Sequence, residues 1–320
     1  MIIKTNIIFI TGSRRSGTTL LLDLLDAHKD LIVFPTDLRL LYAYYPHYCS
    51  LKISKKKKIQ RLKKIIFDAF RKEMKQKKIP VPIDVFKWEN YFFKNLNQKK
   101  LNDISYLLNH FIKSFQKFMN KEFKTIVLKE TNLEIHYFLL KKIFKNFKIL
   151  RIQRDPRGSI SSVKSGFKRH YSKIGDHFKT SMLSDILREL IKFKILEKNN
   201  DKRIYTIKYE NLINREKDTI NKICKFLKIK KSSSLFYQSK FAYKYSYKNF
   251  LNQKIYNFDK RRLYAWKKIL SNNEIIIIET LLKKILDKYK YQINFKNPKL
   301  DSLSEFYNEF NSKLFYKNKF

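Results

Sequence analysis

The stretch Thr11-Gly-Ser-Arg-Arg-Ser-Gly-Thr-Thr19 constrains this chain more than any other, because of what flanks it. Before it, Ile7 to Thr11 is a short β-branched and aromatic run that reads as a strand. After it, Thr18-Thr-Leu-Leu-Leu-Asp-Leu-Leu-Asp-Ala-His28 has helical character. Strand, glycine-bearing loop and helix open a P-loop-type α/β fold, a parallel β-sheet flanked by helices. Glycine is scarce, 5 residues in 320 against a usual share of about 7%, yet Gly12 and Gly17 both fall in this loop. Glycine lets the backbone turn tightly and approach a ligand, so that successive N–H groups and the helix N-terminus point at a phosphate or sulfate.

The outline Gly-x-x-x-x-Gly matches a nucleotide P-loop until the residue after the second glycine, where Thr18 stands in place of the required lysine. The cations lie at Arg14 and Arg15 instead. A kinase or NTPase sets that lysine beside a Ser/Thr and an acidic residue that hold Mg²⁺ on the phosphates, so a P-loop kinase becomes the second reading of this loop.

Further strands are expected at Ile32 to Phe34, stopped by Pro35, at Thr125 to Lys129, at Lys148 to Gln153 and at Ile204 to Tyr209. Helices are expected from Glu134 to Lys145, from near Ser159, through Cys224 and Leu227, and from Asn273 to Lys288. Between about Lys52 and Lys124 the chain is helical and Lys-rich, which reads as an insertion shaping a substrate cleft. A single domain over residues 1–295, followed by a tail over 296–320, accounts for the pattern.

The Lys148 strand runs into Arg154-Asp-Pro-Arg-Gly-Ser-Ile-Ser-Ser162. An arginine at a strand end offers a planar donor fork for phosphate, although an exposed turn would look alike. Two further segments stand out, Lys208-Tyr-Glu-Asn-Leu212 after a strand and Ala265-Trp-Lys-Lys268 before an acidic helix start.

Taken together, these segments resemble the PAPS-dependent sulfotransferases, nearest to the protein-tyrosine and bacterial carbohydrate branches. Arg15-Ser-Gly-Thr-Thr-Leu20 is similar to their 5′-phosphosulfate loop, and Arg154 with Ser162 eight residues on is similar to their 3′-phosphate motif. The resemblance implies a donor site of Ser13, Arg14, Arg15, Ser16, Gly17, Thr18, Thr19, Arg154, Ser162 and Tyr209. Arg261 and Arg262, with Lys260, are candidates for a basic segment that closes over the nucleotide. It also implies three catalytic residues: Arg15 on the bridging oxygen, Lys129 on the sulfonate, and Asp37 as the base, one residue beyond the strict family spacing at Thr36. Lys129 departs from the pattern in lacking the proline that follows in relatives, and Asp37 equally suits the cap of a helix entering Leu38 to Leu41. The small-molecule branch uses a histidine base, a role that none of His47, His110 or His136 fits. The expected donor is PAPS, the expected acceptor a hydroxyl or amine, and no metal is expected.

The formal net charge of +43, from 71 Lys plus Arg against 28 Asp plus Glu, attracts any anionic partner. Lysine runs such as Lys55-Lys-Lys-Lys58 fit compositional drift equally well. A nucleic-acid-binding protein is the third reading, suggested by Phe241-Ala-Tyr-Lys-Tyr-Ser-Tyr-Lys248, but no zinc-finger or RNP motif accompanies it. Peripheral contact with an anionic membrane stays compatible with the enzyme. Cys49 and Cys224 lie far apart in no metal-binding pattern and read as buried thiols. No apolar run reaches the ~20 residues of a membrane span and the start lacks a signal-peptide pattern, so a cytoplasmic enzyme is expected.

Overall fold

A computed structural model describes residues 6–43, 53–119, 125–170, 178–244 and 258–295. Its centre is a parallel five-stranded sheet of order β2-β3-β1-β4-β5. The strands are β1 (Asn6–Gly12), β2 (Ile32–Asp37), β3 (Thr125–Lys129), β4 (Phe147–Gln153) and β5 (Ile204–Lys208). In β1, Ile7 and Phe9 enter one core and Ile8 and Ile10 the other, as the alternation of a strand requires. Being buried on both faces, the central strand is apolar from Ile7 to Ile10.

The first core packs that sheet face against α2 (Leu40–Ala43), α3 (Lys55–Lys63), α4 (Ala69–Lys77), α5 (Val85–Lys94), α6 (Ile104–Met119) and α7 (Tyr137–Ile143). A π turn over Lys64–Asp68 joins α3 to α4. Its centre is aromatic: Phe34 meets Phe111 edge-on with ring centroids 5.0 Å apart, and Trp88 sits 4.8 Å from Phe67. Asp84 caps α5 by accepting the N–H groups of Phe86 and Lys87 at 3.0 Å. On the opposite face lie α1 (Thr18–Leu25), α10 (Tyr209–Asn214) and α11 (Glu216–Leu227). A third, smaller core joins α8 (Pro156–His170), α9 (Phe178–Glu197), α12 (Trp266–Ile269), α13 (Asn272–Leu281) and α14 (Lys283–Lys288).

Several boundaries differ from the sequence expectations. Pro35 does not stop β2, which continues to Asp37 with a register shift between Val33 and Asp37. The strand lies at the sheet edge, where a missing N–H is tolerated. The helix expected near Ser159 starts at Pro156, because Asp155 accepts the Arg157 N–H at 2.9 Å as a cap and proline suits the first helical position. Tyr209 begins a helix and does not end β5. The helix expected to run from Asn273 to Lys288 breaks at Leu282. The first helix ends at Leu25, short of His28, and a 3-10 turn over Leu133–His136 precedes α7. No sequence expectation covers Phe178–Glu197, the 20-residue helix α9. Cys224 is a free, buried thiol, while Cys49, His47 and the tail over 296–320 lie outside the described residues.

All five strands point their C-terminal ends at one edge. The chain turns from one side of β1 to the other between β3 and β4, so the loops after β1 and β4 flank a topological switch point, where open α/β sheets bind ligands.

Candidate active site

The loop between β1 and α1 holds three left-handed backbone positions, Gly12 at φ 151°, Arg15 at φ 65° and Gly17 at φ 107°. Neither glycine is replaceable without displacement. A Cβ on Gly12 would lie 2.5 Å from the Ile152 carbonyl oxygen of β4, and one on Gly17 would lie 2.5 Å from Cδ2 of the Tyr209 ring. The Tyr209 ring thus packs directly beneath the loop. Ser16 Oγ is buried and has no hydrogen-bond partner among the described residues. A buried hydroxyl beside a helix N-terminus and a glycine cradle fits an oxyanion ligand.

The two arginines of the loop separate. Arg15 is exposed, and its Nε donates to Ser162 Oγ at 3.2 Å. Arg14 turns the other way, donating from Nε to both carboxylate oxygens of Asp185 at 2.8 Å and from Nη2 to Ser181 Oγ. It therefore ties the loop to α9, which the sequence did not disclose, since Asp185 lies far along the chain.

Arg154, at the end of β4, donates from Nη1 to the carbonyl of Arg15 at 2.8 Å and from Nη2 to the carbonyl of Arg262 at 2.8 Å. Its guanidinium stacks 4.5 Å from the centroid of the Tyr209 ring. The strand-end arginine, the loop, Tyr209 and the Arg262 backbone form one cluster. Arg261 gives its side chain to Asp259, at 2.8 Å from Nε, and Arg262 Nε stands 3.9 Å from the same carboxylate. Glu210, beside Tyr209, accepts the Asp155 N–H at 3.0 Å and the Tyr291 hydroxyl at 2.9 Å, holding the turn after β4.

A second group forms where β2 and β3 end. Lys129 Nζ donates to Thr19 Oγ1 at 3.0 Å and lies 3.6 Å from Asp37 Oδ2, which also accepts from Thr131 Oγ1 at 3.0 Å. Asp37 Oδ1 is buried without a partner among the described residues. Asp37 is the last residue of β2 and not a helix cap, because Arg39 takes φ 55° before α2 begins. Glu73 of α4 faces this group. Burial opposes its charge, but Lys240, Lys77 and Lys129 together hold its carboxyl below the usual range.

Behind the loop lies a buried ionic network. Lys192 Nζ of α9 donates to Ser13 Oγ, to Asn132 Oδ1 at 3.1 Å and to Glu189 Oε1 at 3.0 Å. Glu134 accepts from Thr11 Oγ1 at 2.6 Å and from Arg151 Nε at 3.0 Å. Full burial works against the Glu134 charge, yet Lys192 and Arg151 hold its carboxyl below the ordinary value. Lys192, Asp185 and Glu134 are the site residues that sequence reasoning missed. His110 bonds the Phe92 carbonyl at 2.8 Å within the insertion, and His136 sits in the turn before α7.

Among the described residues no cluster of metal-ligating side chains occurs. The arrangement of a tight anion loop, an adjoining arginine cluster and a carboxylate paired with a lysine suits transfer of an anionic group to a nucleophile. The family model described as the sulfotransferase family matches residues 7–233. The chain belongs to the sulfotransferase family. The match spans all five strands of this sulfotransferase and every loop at their C-terminal ends.

Solved structures agree on the fold. The sulfotransferase domain from the curacin biosynthetic pathway superposes with a TM-score of 0.58 at 20% identity, over 92% of this chain and 100% of that chain. The corresponding domain of the Synechococcus olefin synthase gives 0.56 at 17% identity, over 91% and 99%. A Mycobacterium avium sulfotransferase gives 0.52 at 12%, over 91% and 78%. No curated protein sequence matches. Among the described residues no helix of this sulfotransferase is long and apolar enough to cross a membrane.

Proposed function

We propose that this sulfotransferase moves a sulfuryl group from PAPS to a hydroxyl or amine of its acceptor, with the donor bound across the loop after β1 and the end of β4. The observation that carries this reading is the joining of those two segments: Arg15 reaches Ser162 while Arg154 holds the Arg15 carbonyl. Two motifs separated by more than a hundred residues thereby meet in one cationic cluster, one part suited to a 5′-phosphosulfate and the other to a 3′-phosphate.

The loop N–H groups, Ser16, Thr18 and Thr19 bind the 5′-phosphate in this reading, and Arg154 and Ser162 bind the 3′-phosphate. Tyr209 supports the loop, and Arg261 and Arg262 border the nucleotide. The acceptor oxygen or nitrogen attacks sulfur in line, and the bond from sulfur to the bridging oxygen breaks. The electron pair of that bond stays on the departing adenosine 3′,5′-bisphosphate, where Arg15 neutralises it. Lys129 meets the sulfonate oxygens. Asp37 takes the acceptor proton on Oδ1, the oxygen without a partner among the described residues, while Thr131 and Lys129 fix Oδ2.

In this reading the helices over 55–119 border the acceptor side of the site. A carbohydrate, a lipid-linked glycan or a small molecule each meets the chemical requirement, and a lipid-linked acceptor accords with a basic surface visiting an anionic membrane. A cytoplasmic location completes the reading, supported by the free thiol of Cys224.

Incubation with sulfur-radiolabelled PAPS and a panel of glycans, lipids and phenols tests the reaction. Label transferred to an acceptor in the presence of EDTA supports it. Phosphate transfer from Mg-ATP instead would return the loop to the kinase class.

A further inference from the structure

Lys192 is fully buried on α9, with 0% side-chain exposure. An ammonium has three N–H donors, and here each meets an acceptor on a different element. These are Ser13 Oγ in the loop, Asn132 Oδ1 in the turn after β3, and Glu189 Oε1 on α9 itself. Asn132 is itself fixed to the loop, since its N–H donates to the Gly12 carbonyl at 2.9 Å and its backbone takes the left-handed φ of 60°. Lys192 therefore grips the Gly12-Ser13 corner twice, directly through the Ser13 hydroxyl and indirectly through Asn132.

The same helix holds the next residue of the loop. Asp185, one helical face along from Glu189 and Lys192 at i, i+4 and i+7 spacing, binds Arg14. We propose that Lys192 is a positioning residue for the donor loop. Through Ser13 and Asn132 it fixes the first corner of the loop before any ligand arrives, so that the loop N–H groups and Arg15 already face the anion. The proposal deepens the PAPS reading and rests on it for the identity of the ligand, though not for the geometry. Preorganisation of this kind raises affinity by removing the ordering that binding would otherwise require.

A purely structural Lys192 would do no more than balance the buried Glu134 and Glu189 charges. The two roles separate at Ser13, whose hydroxyl links Lys192 to the loop and belongs to neither carboxylate. Ser13→Ala removes that link and leaves the bonds of Lys192 to Asn132 and Glu189 in place. Because Ser13 is also a candidate donor-site residue, loop exchange without ligand carries the test.

The test compares wild-type protein, Ser13→Ala, Lys192→Met and the double variant. Two readouts are taken: amide hydrogen exchange of the peptide spanning Gly12 to Thr19 without ligand, and the dissociation constant for adenosine 3′,5′-bisphosphate. One such hydrogen bond corresponds to roughly fivefold in an equilibrium constant. Ser13→Ala is expected to speed loop exchange and weaken binding by about that factor, with a smaller fall in melting temperature than Lys192→Met, because only one ammonium N–H loses its partner. The double variant is expected to bind no more weakly than Lys192→Met alone. Wild-type loop exchange in Ser13→Ala would overturn the proposal, as would losses that multiply in the double variant. If Lys192→Met does not fold, the exchange rate of Ser13→Ala alone decides. A wild-type protein that fails to bind the bisphosphate speaks against the PAPS reading, and loop exchange still decides the role of Lys192.

Discussion

Arg15 Nε donates to Ser162 Oγ at 3.2 Å, joining the loop after β1 to the second turn of α8. The Arg15 backbone is meanwhile held at its carbonyl by Arg154, so one residue spans both halves of the proposed donor site. Its left-handed φ of 65° costs a non-glycine residue about 1 kcal/mol, a strain tolerated where the conformation aims a side chain at a ligand.

Arg15→Ala is expected to lower turnover about 10²- to 10³-fold, the usual loss of one donor aimed at a developing charge. Ser162→Ala removes a neutral partner and is expected to weaken donor binding roughly fivefold, with turnover at saturation little changed. Steady-state kinetics with varied PAPS separates the two effects.

Gly17 and Tyr209 are mutually dependent. Gly17→Ala drives a methyl into the Tyr209 ring and places alanine at φ 107°. Donor binding should fall at least tenfold, as measured by calorimetry. Adding Tyr209→Leu should restore only part of it, because the ring clash is relieved and the backbone strain is not.

Asp37→Asn tests the base. It keeps the shape that Thr131 and Lys129 contact, but it cannot take a proton. Turnover is expected to fall about 10²- to 10⁴-fold with bisphosphate affinity unchanged. A loss of affinity equal to the loss of turnover would place Asp37 in binding and not in proton transfer.

The buried Glu134 carboxylate, held below its ordinary pKa by Lys192 and Arg151 against the cost of burial, makes the fold acid-sensitive. Its contribution to stability is complete above the carboxylate value of the unfolded chain and is lost as pH falls through the depressed folded value. Urea unfolding should therefore show a midpoint that declines below about pH 4, the unfolded glutamate range. Glu134→Gln should flatten that decline while lowering stability at neutral pH by about 3 to 5 kcal/mol, because it leaves buried cations uncompensated.

The strand, loop and helix at Ile7 to Leu25 and the strand end at Arg154 are legible in the sequence because apolar runs there meet glycine, proline and arginine in short order. Ser162, Lys129 and Asp37 are singled out in the sequence only by the family resemblance, and folding brings Ser162 to Arg15 and Asp37 to Lys129. The partners of these residues are not. Asp185, Glu189 and Lys192 are charged residues on the buried side of α9, the side that periodicity assigns to apolar groups, so both the helix and its grip on the loop escape a pattern search. Arg14 looks identical to Arg15 in the sequence and points elsewhere, because Asp185 lies within reach only after folding. Pro35 reads as a strand end because the edge position of β2 depends on the order of the whole sheet.

The central claim is a magnesium-independent donor site spanning Arg15, Arg154 and Ser162. Calorimetric titration with adenosine 3′,5′-bisphosphate in EDTA, beside ATP and beside Arg154→Ala, tests it most directly. The account predicts tight binding that prefers the 3′-phosphorylated nucleotide and is largely lost in Arg154→Ala. Absence of bisphosphate binding, or preference for ATP once magnesium is restored, would contradict it.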